Sequence, residues 1–204
     1  SSMCADFDVQ ILSAVTAFVG VIPPSHVPQV RRTTRTGGLG LRSAEQHMCA
    51  AYVASVYACS LLDGVPTGEV RGFQEALSRL SVLTTHTSET LLSLAEKQSA
   101  LSEAIDKVLL ERELSTDSPH DKARKVSQMA PHAGDWLLVT PAFELHQAFS
   151  PREFVAIIRL WLGLSVYDEH TSCPACGEHN DPSGYHALNP VQGDNAIRHG
   201  CHLF

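Results

Sequence analysis

Aromatic residues and long hydrophobic runs are both scarce in this chain. Phe, Tyr and Trp together make up 6% of the 204 residues, so the core must be mainly aliphatic, which suits packed helices. The longest apolar stretch, 11–22, is interrupted by polar residues and ends at two prolines, and it is too short to span a membrane as a helix. It also lacks the basic region of a signal peptide. We therefore expect an intracellular protein, in the cytoplasm or the nucleus, with no membrane partner.

Positive charge is scarce as well, except in one segment. Lys and Arg total 15 against 22 Asp and Glu, which gives a formal charge of −7 and argues against a protein whose whole surface binds nucleic acid or membrane. No acidic residue lies between Asp8 and Glu45. The arginines of this basic segment are Arg31, Arg32, Arg35 and Arg42. Such a segment is typical of phosphate binding, and the alternative is a solvated basic loop.

The apolar periodicity predicts a mostly α-helical fold, with six to seven helices in an irregular bundle. The predicted helices cover residues 6–20, 43–62, 69–83, 87–114 and 118–129, and a last one runs from Ser150 to near Gly163. Ser43 with Gln46 and Ser150 with Glu153 have the spacing of capping boxes, and Ser118 before a proline is a third start signal. The glycines of 37–40 predict a tight turn rather than a phosphate-binding loop, because no Gly-Lys-Ser/Thr follows.

The composition changes at residue 168, where apolar periodicity ends and His, Cys, Gly and Pro dominate. We divide the chain into a helical domain, 1–167, and a Cys/His-rich irregular tail, 168–204. Cys173 and Cys176 have the two-residue gap of a zinc knuckle, and His186 follows as a third ligand. The candidates for a fourth ligand are His179, His199, Cys201 and His202. The alternative is a free dithiol without a metal.

The other patterns of reactive residues do not predict an active site. Cys49 and Cys59 lie within a helical pattern, so we expect them to be reduced and buried as small hydrophobic residues. A redox role for the Cys-x-x-Cys pair is disfavoured, because no strand-helix-strand pattern precedes it. The sequence contains no recognisable Ser-His-Asp or Cys-His arrangement and no pair of adjacent aspartates. We therefore expect no enzyme activity.

Four segments together resemble the region after the polymerase core in reverse transcriptases of retrotransposons that lack long terminal repeats. They are RRTTRTGGLGLRSAEQHMCAAYVAS (31–55), HAGDWLLVTP (132–141), FVAIIRLWLGL (154–164) and CPACGEHNDPSGYHALN (173–189). The sharpest part is GGLGLRSA, residues 37–44. The order and spacing of the segments carry the resemblance, which covers residues 6–199.

The resemblance implies a thumb and linker region that ends in a Cys-Cys-His-Cys zinc knuckle before an endonuclease. In the family pattern the fourth knuckle ligand is a cysteine where this chain has Pro190. The resemblance therefore implies either a damaged knuckle or a substitute ligand such as Cys201, which would complete a site with Cys173, Cys176 and His186. The palm aspartates and the nuclease carboxylates of such enzymes are both absent. The chain by itself is therefore expected to be non-catalytic.

These observations lead to one main hypothesis and two alternatives. The main hypothesis is a non-catalytic fragment or remnant of a retroelement reverse transcriptase, which positions template RNA or target DNA. Arg31, Arg32, Arg35 and Arg42 would neutralise phosphates, and the knuckle would hold a structural zinc ion. The first alternative, favoured by the charge of −7, is a helical domain that binds a protein partner through an apolar helix face. The second is a pseudogene-like product with no selected function.

Overall fold

The computed structural model describes residues 3–142, 144, 148–167, 172, 177, 179 and 181–184. Within them the chain is mostly helical, as predicted, with eight α-helices and no β-strand. The helices are α1 (Met3–Val19), α2 (Val27–Arg31), α3 (Ala44–Asp63), α4 (Phe73–Thr84), α5 (Ser88–Leu94), α6 (Gln98–Thr116), α7 (Pro119–Gln128) and α8 (Pro151–Leu162). In this part of the chain no single helix is long and apolar enough to cross a membrane. Within the same residues, α1 and the segment Pro24–Arg31 are together long and apolar enough for a membrane span, but the two are bent by 109° relative to each other.

Two predicted helix starts are confirmed, and in both the capping side chain bonds to a residue three positions along the chain. Ser118 accepts a hydrogen bond from the backbone N–H of Asp121 and begins α7. Ser150 and Glu153 form a complete capping box at the start of α8, because each side chain bonds to the other residue's backbone N–H. Both helices therefore begin where the sequence predicts.

The prediction of one long helix over 87–114 is wrong. The chain turns at 95–97, where Ala95 caps α5 and Lys97 has an extended backbone before α6. The turn lets α5 pack against both α4 and α6, so that Leu91 and Leu101 are fully buried in the same cluster. Since neither glycine nor proline marks the break, the helical pattern of the sequence runs across it.

The hydrophobic residues form two clusters. The first lies between α3, α4, α5 and α6, and it contains Ala50, Val53, Ala54, Phe73, Ala76, Leu77, Leu80, Leu91, Ala95, Leu101 and Ile105. The second joins α1, α2 and α8, and it contains Val15, Val19, Val30, Ile158, Leu162 and Leu164. Apart from Phe73 these residues are aliphatic, which agrees with the low aromatic content.

A buried carboxylate connects α1 to the start of α3. Asp8 accepts hydrogen bonds from the backbone N–H groups of Ala44 (2.7 Å) and Glu45 (3.3 Å) and from the Ser43 hydroxyl. Burial raises the pKa of Asp8, but these hydrogen bonds and nearby Arg31 outweigh it, so the pKa lies below its ordinary value. Asp8 thus caps α3 from another helix, in addition to the predicted cap by Ser43.

The cysteines of the helical part have different environments. Cys49 is half-buried against the first hydrophobic cluster, and burial raises the pKa of its thiol. The prediction that Cys59 is buried is wrong, because Cys59 is exposed. The buried residues of α3 are Ala50, Val53 and Ala54, and Cys59 lies on another face of that helix.

Candidate nucleic-acid interface

The glycine-rich part of the basic segment forms the predicted tight turn. A short 3₁₀ helix, Thr34–Thr36, ends at Gly37 in the left-handed conformation, and the backbone N–H of Gly40 then donates to the carbonyl oxygen of Arg32 at 2.7 Å. A Cβ atom at Gly38 would lie only 2.1 Å from that oxygen. Glycine is therefore required for the chain to pass so close to itself.

A buried amide holds this turn against two helices. The Gln29 side chain donates to the carbonyl oxygen of Gly37 at 3.0 Å and to the side-chain oxygen of Gln128 on α7 at 2.9 Å. Arg124 donates to the Gln29 side-chain oxygen at 3.2 Å and to the carbonyl oxygen of Trp161 on α8 at 2.7 Å. The turn is thereby fixed relative to α7 and α8, and buried polar networks of this kind restrict local motion.

The turn forms one wall of a groove of about 1000 Å³. The apolar residues that line the groove are Phe18, Leu39, Leu41, Leu110, Leu137, Leu138, Phe154 and Ile158. The Phe18 and Phe154 rings stack on each other with 6.3 Å between their centroids, and they remain 47% and 39% exposed. Exposed aromatic rings beside cationic side chains are the combination that binds the bases and phosphates of single strands.

Three cationic side chains line the same groove. Arg35 comes from the turn, Arg42 from the residues before α3, and Lys107 from α6. Arg35 and Lys107 are exposed, whereas Arg42 pairs with Asp106 through a direct hydrogen bond. Two carboxylates, Glu103 and Asp106, also line the groove, so its cationic side chains outnumber its carboxylates by one. Lys107 was missed in the sequence because it lies on a helix far from the basic segment.

The other two arginines of the basic segment do not line the groove. Arg31 lies 4.0 Å from the buried Asp8 carboxylate and is partly exposed. The Arg32 side chain is only 3% exposed, and its Nε lies 3.4 Å from Glu113, which also pairs with Lys125 at 2.5 Å. Burial excludes Arg32 from a phosphate contact at the surface. Of the four arginines predicted to contact phosphates, only Arg35 and Arg42 line the groove, and Arg31 lies outside it.

The predicted zinc ligands lie outside the described residues. They are Cys173, Cys176, His186 and Cys201, and a zinc site formed by them stays a prediction. Gly177, next to the Cys-x-x-Cys pair, is described and has a φ of 76°, in the left-handed region that favours glycine. In the described part of the chain no group of three or more His, Cys, Asp or Glu side chains is arranged to hold a metal ion.

The segments that carry the family resemblance occupy several places in the fold. Residues 31–55 run from the end of α2 through the turn into α3, and residues 154–164 cover most of α8. Comparisons with protein-family models, with curated proteins and with solved structures find no significant match to the chain. The resemblance therefore rests on these segments alone.

Proposed function

We propose that the chain is a non-catalytic part of a retroelement-type reverse transcriptase that positions template RNA or target DNA. The phosphates of a strand lie along the groove beside Arg35, Arg42 and Lys107, and its bases stack on Phe18 and Phe154. The observation that carries this proposal is that basic and aromatic side chains line one groove. Contacts of this kind hold a strand without reading its sequence.

The family resemblance gives this proposal its second support. The sharpest part of the resemblance, residues 37–44, is the turn and helix start beside the groove. In the proposal, the predicted zinc knuckle of the tail holds a structural zinc ion and adds a second contact to nucleic acid. The chain needs no catalytic group of its own for this role.

The proposal is tested by the salt dependence of binding to a fluorescein-labelled single-stranded RNA, measured by fluorescence anisotropy. Replacing Arg35 and Lys107 with Gln removes two cations that are exposed in the groove. The slope of log affinity against log salt should become shallower by about 0.7 for each lost phosphate contact with a single strand. A double variant of Arg152 and Lys122, which are exposed elsewhere, should keep the slope of the wild type.

Two results would overturn nucleic-acid binding at the groove. One is the absence of salt-dependent binding by the folded wild-type chain. The other is an equal slope for the groove variant and its control, since phosphates at the groove cannot be indifferent to both of its exposed cations.

Binding of a protein partner is the second candidate, and a specific observation favours it. The groove is lined mainly by apolar side chains, and Leu138 at its border is 70% exposed. Exposed apolar surface of this kind often marks a docking site. A peptide held by the apolar wall would bind with little dependence on salt, and Leu138→Ser would weaken it more than the charge variant would.

A further inference from the structure

The described helices form two lobes, and between residues 3 and 164 the chain crosses from one lobe to the other only twice. The first lobe, residues 43–117, contains α3, α4, α5 and α6 around the first hydrophobic cluster. The second lobe, residues 3–42 and the described part of 118–164, contains α1, α2, α7 and α8 and the second cluster. The crossings lie at 42–43 and 117–118, where extended backbone meets the end of a helix. Hinges are commonly formed by a few residues of this kind.

Each lobe is held together by its own contacts. In the first lobe α3, α4, α5 and α6 pack against one another. In the second lobe α1 contacts α8, and Gln128 and Arg124 of α7 donate to the carbonyl oxygen of Trp161 on α8 at 2.6 and 2.7 Å. Across the lobes, the main helix contact in the described residues is between α1 and α3, and it includes the cap of α3 by Asp8. This contact therefore lies beside the first crossing.

The rest of the interface between the lobes is polar. In the described part of the chain, no buried apolar residue belongs to both hydrophobic clusters. Arg32 of the second lobe lies 3.4 Å from Glu113 on α6, and Lys125 of α7 pairs with the same carboxylate at 2.5 Å. The Arg32 guanidinium and Glu113 Oε2 form no hydrogen bond within the described residues. Parts of a chain that meet through such a polar interface generally move relative to each other.

Two open spaces also lie between the lobes. The groove of about 1000 Å³ has Leu110 of α6 on one wall and Leu39 of the second lobe on the other. A cavity of about 430 Å³ has Leu109 of α6 on one wall and Val27 of α2 on the other. Protein interiors are normally close-packed. The lobes therefore have room to move, because apolar side chains face each other across these spaces.

We propose that the two lobes rotate relative to each other about a hinge at residues 42–43 and 117–118, and that this rotation opens and closes the groove. The walls of the groove belong to different lobes, so a rotation changes the separation of Lys107 on α6 and Arg35 on the turn. Closure brings both walls onto a bound ligand and removes more apolar surface from water. A ligand that touches both walls favours the closed arrangement. The rotation is a property of the free chain, whatever the groove binds.

The rotation is tested by residual dipolar couplings of the backbone amides, measured by NMR on the weakly aligned full chain without a ligand. Helices of one rigid molecule share one degree of alignment, whereas two lobes that rotate have two. Helices within a lobe should agree, and the two lobes should differ by more than the scatter within a lobe. One degree of alignment that fits all eight helices would overturn the proposal.

A variant at the polar interface tests what restrains the rotation. Glu113→Gln, in a chain whose circular dichroism matches that of the wild type, should widen the difference in alignment, because Arg32 and Lys125 lose an ionic partner. The matched control is Glu75→Gln, since Glu75 pairs with Arg79 inside α4 at 2.8 Å, and it should leave the difference unchanged. An unchanged difference in folded Glu113→Gln would refute the role of this contact. If that variant does not fold, the couplings of the wild type decide the proposal by themselves.

Adding single-stranded RNA separates this proposal from nucleic-acid binding. If the strand binds in the groove, the two lobes of the complex should approach one degree of alignment. RNA that binds without reducing the difference between the lobes would overturn closure of the groove. If no RNA binds, the proposed function fails, and the couplings of the free chain still decide whether the lobes rotate.

Discussion

Replacing Asp8 tests how α3 is held in place. The Asp8 carboxylate accepts two backbone hydrogen bonds from the first turn of α3, at Ala44 and Glu45, and one from Ser43. It also places a negative charge at the positive end of the helix dipole. Asp8→Asn keeps the shape of the side chain but removes the charge and one acceptor oxygen.

The expected loss of stability follows from these contacts. A hydrogen bond to a charged group contributes about 1.5 to 3 kcal/mol, and a carboxylate at a helix N-terminus contributes about 0.3 to 1 kcal/mol. Ala44 and Glu45 are not buried, so water can replace part of what their N–H groups lose. We therefore expect Asp8→Asn to lower the free energy of unfolding by about 2 kcal/mol. Urea denaturation followed by circular dichroism measures this difference as a lower midpoint.

The pH dependence of this difference identifies the carboxylate as its cause. The pKa of Asp8 in the folded chain lies below its ordinary value, which is about 3.9 in an unfolded chain. The ionised group therefore stabilises the fold fully above about pH 4 and loses this contribution as the pH falls through the folded-state pKa. The stability gap between the wild type and Asp8→Asn should be widest near neutral pH and close in acid.

The control is Glu111→Gln, which neutralises an exposed carboxylate on α6 and should change the midpoint little. The reasoning about α3 is wrong if Asp8→Asn is as stable as this control at pH 7. It is also wrong if the stability gap between the wild type and Asp8→Asn does not shrink as the pH falls below the ordinary pKa of the carboxyl group, because the contribution of the charge is lost in that direction.

The other predictions concern two helix ends and the tail. Ser118→Ala should destabilise the fold by about 1 kcal/mol through loss of the α7 cap, and NMR titration should show the pKa of Asp121 rising, since the Ser118 hydrogen bond is the main cause of its lowering. Gly163→Ala should cost about 1 kcal/mol or more in thermal unfolding, because Gly163 has a φ of 74° and the new Cβ would lie 2.6 Å from Arg124. Native mass spectrometry should find one zinc ion per chain, lost in Cys173→Ser; a metal-free wild type would contradict the predicted knuckle.

The parts of the fold that the sequence predicts well depend on short-range chemistry. Ser118 and Ser150 cap their helices through residues three positions away, and the tight turn at 37–40 follows from its glycines. The break between α5 and α6 has no such signal. It depends on the packing of Leu91 and Leu101 into one cluster, and a pattern read along the chain does not reveal which residues share a core.

The sequence is equally limited in predicting which charged side chains of the candidate site are paired with others. The sequence places no acid between Asp8 and Glu45, yet the fold brings Asp106 to Arg42 from 64 residues away and Glu113 to Arg32. Lys107 joins the groove from a helix that no motif marks. Counting charges along a segment therefore identifies a basic stretch but does not show which of its arginines can reach a ligand.

The ion pairs of Arg32 and Arg42 change the experiment that tests nucleic-acid binding. Replacing all four arginines with Ala, the natural test from the sequence, would also take an arginine partner away from Glu113 and from Asp106. Arg32 and Glu113 form a buried ion pair, and removing one member of such a pair costs about 3 to 5 kcal/mol, a large share of the stability of a typical domain. A loss of binding in that variant would then reflect unfolding as much as lost phosphate contacts. Arg35 and Lys107 lie in the groove and are exposed, so replacing this pair removes charge from the groove and leaves the buried pairs intact.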